Sequence, residues 1–303
     1  MKRLLGLALC GLVVACNDGT GDTGGGGEGG SGGRATSATG TPSGAGATSS
    51  QGSSSQSTSD TSSSAATTGA TSGVTTGGNP GLESVGTLVV LGDSIGDGGG
   101  QSPFYYNLLR DKLEDHYGGI SYQRKAESGS KTSALVGQIG DLPGSLPGPV
   151  VVTITSGGND MKAALPLIVG GADAGARATM GQNIDAALSA LLEPGRFGPG
   201  VSVHVFEATI YDASDGVGDF GSHGCAFGQG MPAIPTDSFF ASWNGVIAEK
   251  VLAHGQTLSD VHGHFYGHGY AGNPSWYASD CTHPNSLGHA QLADYFYAQI
   301  VGQ

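Results

Sequence analysis

The sequence predicts an α/β domain, a parallel sheet covered by helices on both faces. Three observations carry that expectation. Apolar, β-branched runs alternate along the chain with segments whose apolar residues recur at helical spacing, the order that builds a parallel sheet. Two of the runs end directly in small polar motifs, Gly92-Asp93-Ser94 and Gly157-Gly158-Asn159-Asp160. In open α/β sheets, sites lie beyond the carboxyl ends of the strands. Residues 83–303, which carry the pattern, are enough to bury a full hydrophobic core.

The elements follow in order. Val85 to Leu91 reads as a buried strand. Phe104, Tyr105, Leu108, Leu109 and Leu113 mark an amphipathic helix from about Ser102 to His116. Ile120 to Arg124 is a short second strand, and Thr132 to Leu142 a short helix. Val150 to Thr155 is a strand after Pro149. Met180, Ile184, Ala187, Leu188, Leu191 and Leu192 mark a helix closed by Pro194-Gly195. A fourth strand covers Val201 to Ile210, and Phe239, Phe240, Trp243, Ile247 and Val251 mark the next helix. Leu258 to Phe265 is expected as a fifth strand. A last helix runs from about Ser286 to Val301.

The first 82 residues are of another kind. Lys2 and Arg3 precede a short apolar run, Leu4 to Val14, too short to span a membrane. Residues 1–15 are therefore expected as an export signal. Val13-Val14-Ala15-Cys16 resembles a bacterial lipobox, in which the Cys carries lipid. An ordinary cleaved signal with a chance Cys is the alternative. Residues 16–82 are Gly, Ser, Thr and Ala with almost no large apolar side chain. Such a segment cannot offset its chain entropy, so a disordered tether is expected. The implied place is the cell envelope, with membrane contact only through the lipid at Cys16. Export leaves Cys225 and Cys281 in an oxidising compartment, which suggests one disulfide; two buried free thiols are the alternative.

The net charge of −13, from 25 acidic and 12 basic residues, argues against a nucleic-acid partner, which demands a basic face. The Gly-rich run after Ser94 fails as a nucleotide fingerprint. The third glycine would fall at 101, which is Gln, and no Gly-Lys-Ser/Thr follows.

Ester chemistry fits better. A serine just past a buried strand presents its hydroxyl above the sheet edge, and Gly92 lets the chain turn. Gly-Asp-Ser alone is also a common turn. Asp280-Cys281-Thr282-His283-Pro284 supplies, from one loop, a base for that hydroxyl and a carboxylate to orient the base. A capping Asp and a surface His would read the same way. Asn159 offers an amide donor for an oxyanion. In Ser128-Gly129-Ser130, Gly129 offers a backbone N–H.

Together, Gly92-Asp93-Ser94, Gly129, Gly157-Gly158-Asn159-Asp160 and Asp280-Cys281-Thr282-His283-Pro284 stand in the order of the blocks of the SGNH or GDSL hydrolase family, which this chain resembles from about Thr87 to Val301. The resemblance implies a three-layer α/β/α sandwich of flavodoxin-like type. It implies Ser94 as nucleophile, His283 as base, Asp280 as orienting acid, and an oxyanion hole from the Ser94 and Gly129 N–H groups and the Asn159 amide. It implies an ester substrate, whether small molecule, lipid or polysaccharide, with no metal and no cofactor. A binding lipoprotein and an acyltransferase on the same fold stay open.

Two clusters lie outside those blocks. His262, His264 and His268 stand in an HxHxxxH spacing, and alternating residues of a strand would face one way, so a metal site is conceivable; solvated or loop-bonded histidines are the reading the residues favour. Phe265, Tyr266, Tyr270, Trp276 and Tyr277 either wall a pocket or pack the core. The Gly-rich stretch 221–230 reads as a mobile loop that a Cys225–Cys281 bond would pin to the 280–284 turn.

Overall fold

The computed structural model describes residues 81–225, 228–230 and 232–303. The expected signal, the acylated Cys16 and the tether up to residue 80 lie outside the described residues. Leu82 is already tied into the domain: its N–H donates to the Ile300 carbonyl at 2.8 Å, and Tyr117 Oη donates to its carbonyl at 2.7 Å.

Among the described residues one sheet has five parallel strands in the order β2-β1-β3-β4-β5. They are β1 (Thr87–Gly92), β2 (Ser121–Arg124), β3 (Val150–Thr155), β4 (Val203–Ala208) and β5 (Thr257–Ser259). The two central strands, β1 and β3, are buried at every position. That is the mark of strands covered on both faces, and it explains their mostly apolar, β-branched sequences.

The helices are α1 (Tyr105–Tyr117), α2 (Leu135–Gly140, entered through a 3-10 turn at Thr132–Ala134), α3 (Gly158–Ala163), α4 (Leu165–Val169), α5 (Ala174–Leu191), α6 (Asp237–Ala253), α7 (Val261–Phe265) and α8 (Ser286–Val301). Alternate strand residues divide the core in two. Val89, Leu91, Val152, Ile154 and Val205 pack with α2, α5 and α6. Leu88, Val90, Val151 and Phe206 pack with α1, α7 and α8. The result is the expected three-layer α/β/α sandwich. The chain reverses direction across the sheet between β1 and β3, where a site is expected.

The fifth strand departs from expectation. It ends at Ser259, and residues 261–265 form α7. Asp260 caps that helix by accepting from the Gly263 N–H at 3.1 Å. A carboxylate able to satisfy the first helical donors decides between strand and helix here. His262 and His264 therefore do not share a strand face. His262 stacks on Phe240, His264 on Tyr295 and His268 on Trp276. No group of His, Cys, Asp or Glu among the described residues could hold a metal ion. No helix among them is long and apolar enough to cross a membrane.

One core residue is out of place chemically. Glu207, on β4, is wholly buried on the side of the sheet that Val205 faces, and neither carboxylate oxygen has a hydrogen-bond partner. Burial pushes its carboxyl from 4.5 to about 8. The folded state thus binds this proton more tightly than the unfolded chain does. Its contribution is most favourable below pH 4.5 and is lost as pH rises toward 8, at about 1.4 kcal/mol per pH unit. At pH 7 the cost is about 3 kcal/mol. Glu207→Leu is expected to raise Tm at pH 8 by roughly 6–10 °C over wild type and by far less at pH 5. An equal shift at both pH values in thermal melts would show that ionisation is not the cause.

Candidate active site

The turn that carries Ser94 is built by a close approach of β1 to β3. Gly92 has φ 116°, and a Cβ there would lie 1.9 Å from the Thr155 carbonyl oxygen, so only glycine fits. The Asp93 N–H continues the pairing by donating to that same carbonyl at 2.8 Å. Gln138, buried in α2, grips Gly92 from the side. Its amide nitrogen donates to the Gly92 carbonyl and its oxygen accepts from the Gly92 N–H, both at 2.8 Å. Ser94, the next residue but one, is thereby held past the strand end.

The turn 276–285 is fixed with similar care. Ala278 N–H donates to the His283 carbonyl at 2.8 Å, and Asn285 N–H to the Trp276 carbonyl at 2.9 Å. Asn285 also starts α8, its side-chain oxygen accepting from Gly288 N–H at 2.9 Å. From the end of β4, Tyr211 Oη donates to the Thr282 carbonyl at 2.7 Å. A disulfide joins Cys225 to Cys281 with Cα atoms 5.6 Å apart. Cys281 adopts a left-handed backbone, φ 56°. Cys225, expected in a mobile loop, is fully buried, with its N–H donating to Phe220 O at 3.1 Å.

These supports bring three predicted residues into one line. Ser94 Oγ lies 2.8 Å from His283 Nε2, and His283 Nδ1 lies 2.6 Å from Asp280 Oδ2. A carboxylate only accepts, so Nδ1 carries the imidazole proton and Nε2 is free to accept from the hydroxyl. Asp280 Oδ1 accepts from the backbone N–H groups of Thr282 (3.0 Å) and His283 (2.9 Å). Burial alone would raise the Asp280 carboxyl. The bond to the His283 side chain, those two N–H groups and the His283 charge outweigh it and hold the carboxyl well below its usual range.

Asn159 sits in the first turn of α3 and lines the same cavity as Ser94. Its amide nitrogen donates one hydrogen to the Ser130 carbonyl at 2.9 Å. Ser130 Oγ in turn donates to the Gly92 carbonyl at 2.9 Å. The loop carrying Gly129 is thus joined to both the Ser94 turn and α3. Asp160 faces away and accepts from the Thr132 N–H and hydroxyl at 2.9 and 2.8 Å, a loop-bonding role. Of the aromatic cluster, Phe265, Trp276 and Tyr277 pack on one another in the core, and none of the five lines the cavity. Phe220, Phe239 and Phe240 take that place.

The family model for the GDSL-like lipase/acylhydrolase family matches residues 90–291. The chain belongs to that family. It is an ester-hydrolysing enzyme, and its sheet is that of the GDSL-like hydrolases. Among solved structures, a lipase from a goat rumen metagenome is 19% identical, covering 72% of this chain and 99% of its own, with a TM-score of 0.52. An extracellular lipase from Streptomyces rimosus is 21% identical over 71% of this chain and 100% of its own, TM-score 0.51. A variant of an acetyl xylan esterase from Geobacillus stearothermophilus is 18% identical over 73% and 96%, TM-score 0.50. At those identities the likeness is one of fold. No curated protein matches the sequence.

Two site features of this GDSL-like hydrolase carried no sequence signal. Asp93 is buried beneath Ser94 and accepts from the Ile95 N–H at 3.1 Å. Burial pushes its carboxyl up to about 7, against the pull of that N–H and of His283. His289, in α8, is fully buried. Its Nδ1 accepts from Tyr105 N–H at 3.3 Å and its Nε2 donates to the Gly99 carbonyl at 3.0 Å. Those two partners require the neutral ring. Burial, countered by the Gly99 carbonyl and aided by the charge of His283, takes it down to about 4.

The loop that His289 holds lies against His283. A Cβ on Gly99 would come within 2.4 Å of His283 Cδ2 and 2.7 Å of Nε2. Gly99→Ala is therefore expected to displace the imidazole and lower kcat about 10- to 100-fold, with the fold retained. Steady-state kinetics beside a thermal melt would check it. An unchanged kcat would mean that the loop yields before the imidazole does.

Proposed function

We propose that the chain is a serine esterase in which Ser94, His283 and Asp280 form the catalytic triad. The line Asp280–His283–Ser94, at 2.6 and 2.8 Å, carries this reading. Ser94 Oγ attacks the ester carbonyl carbon as His283 Nε2 takes its proton. The carbonyl oxygen becomes an oxyanion, received by the Ser94 and Gly129 N–H groups and by the second amide hydrogen of Asn159. The tetrahedral centre collapses, the C–O bond to the alcohol breaks, and His283 returns the proton to the departing oxygen. Water, deprotonated by the same imidazole, then opens the acyl-enzyme and releases the acid. Asp280 keeps its charge throughout and steadies the imidazolium.

Ser130 supports the role of Asn159 by holding one amide hydrogen and so fixing where the other points. The test is a small phosphonylating probe followed by peptide mapping. Label on Ser94, lost when His283 is replaced, is the expected result; label on any other serine would remove Ser94 from the role.

A further inference from the structure

The cavity that begins at Ser94 is not shaped for an acetyl group. It holds about 210 Å³ and runs along the carboxyl end of the sheet. Met161, Ile168 and Val169 from α3 and α4, Ile210 just past β4, and Ile234 and Phe239 line it. Ile168 is buried, Met161, Ile210, Ile234 and Phe239 are half-buried, and Val169 at the mouth is 52% exposed. The threonine hydroxyls at that end are engaged elsewhere, Thr236 with Asp212 and Thr209 with Asp260. Thr155, Ser156, Asn159 and Lys162 bring polar atoms to the lining, but most of the exposed cavity surface is apolar.

We propose that this cavity receives the acyl chain of the substrate and that the enzyme selects esters of medium-length aliphatic acids over acetyl esters. The proposal rests on the serine-esterase reading, since the acyl chain is oriented by its carbonyl at Ser94. Ala213, Gly218, Phe220, Pro232 and Ile234, from the segment between Tyr211 and Thr236, also line it, and the Cys225–Cys281 bond fastens that segment to the turn that bears His283. Pocket and triad are thus held by one cross-link. An aliphatic chain entering such a cavity loses its water without losing a hydrogen bond. Each buried methylene then improves kcat/KM roughly fourfold, equivalent to about 0.8 kcal/mol.

The experiment is a series of p-nitrophenyl esters from acetyl to dodecanoyl on the full chain, with one leaving group throughout. The expected result is kcat/KM rising at least about 50-fold from acetyl to octanoyl and flattening beyond. Ile234→Trp, in the cavity lining, and Val169→Trp, at the exposed mouth, are each expected to cut the octanoyl-to-acetyl ratio at least tenfold. Using a ratio, with Ser94 labelling as the control for an intact site, separates loss of the pocket from loss of the fold. A profile flat or highest at acetyl would overturn the proposal while Ser94 labelling left the esterase reading standing. Unchanged ratios in both variants would overturn the placement of the chain. Absence of both labelling and turnover would overturn the two together.

Discussion

Ser94→Ala is expected to fold as wild type and to lose about 10⁴- to 10⁶-fold in kcat on an activated ester. The fold should survive because the Ser94 side chain makes one bond, to His283 Nε2, and the turn is held by others: Gln138 on Gly92, and Thr155 on Asp93. Turnover should not survive, because in the proposed mechanism Ser94 supplies the oxygen that becomes the acyl-enzyme bond. Ser94→Ala combined with His283→Ala should cost no more than either alone, since each already disables the same step. Losses that multiply in the double variant would mean that the two residues act in separate steps. Activity within tenfold of wild type in Ser94→Ala would end the triad assignment.

Breaking the Cys225–Cys281 bond is expected to act on two quantities at once. The bond closes a span of 56 residues. In the chain-entropy description such a closure contributes about 4 kcal/mol, so Cys225→Ser or full reduction should lower Tm by roughly 10 °C. Rate should fall as well, at temperatures where the protein stays folded. Cys281 lies between Asp280 and His283 in a backbone region that suits few residues, and the cross-link helps hold it there. The Tyr211 bond to Thr282 and the Asp280 bonds within the turn remain, so the loop should drift and not collapse. Misplacement of about 1 Å costs about a hundredfold, so kcat is expected to drop 10- to 100-fold. A lowered Tm with an unchanged kcat would confine the bond to stability.

Much of this architecture was legible because its signals are local. The apolar, β-branched runs at 85–91 and 150–155 read as buried strands, and each motif at their ends fell where a sheet puts its chemistry. Asp280 and His283, three residues apart, could be read as a pair without knowledge of the rest. The fifth strand was misread past Ser259 because apolar residues at 258, 261 and 265 suit either element; the Asp260 cap decides, and its effect shows only when Gly263 comes round to meet it. What makes the cavity was not legible at all. Residues 211–236 have no apolar periodicity, and among them Ser214, Gly216 and Thr236 are held by Asp212, and Cys225 by a bond to Cys281. Gln138, His289 and Glu207 sit in ordinary-looking helix or strand sequence. Only the packing of distant elements shows what each one touches.

Of the two bonds in the Asp280–His283–Ser94 line, one spans three residues and the other 189. The first can form as soon as its loop is made. The second joins the first strand of the domain to the turn ahead of its last helix, and is the slowest kind of contact for a chain to find. Until α8 has settled beside α1, the proposed base at His283 stands apart from Ser94. The onset of turnover in a refolding chain is thus a clock for that final docking, blind to everything the sheet has done before.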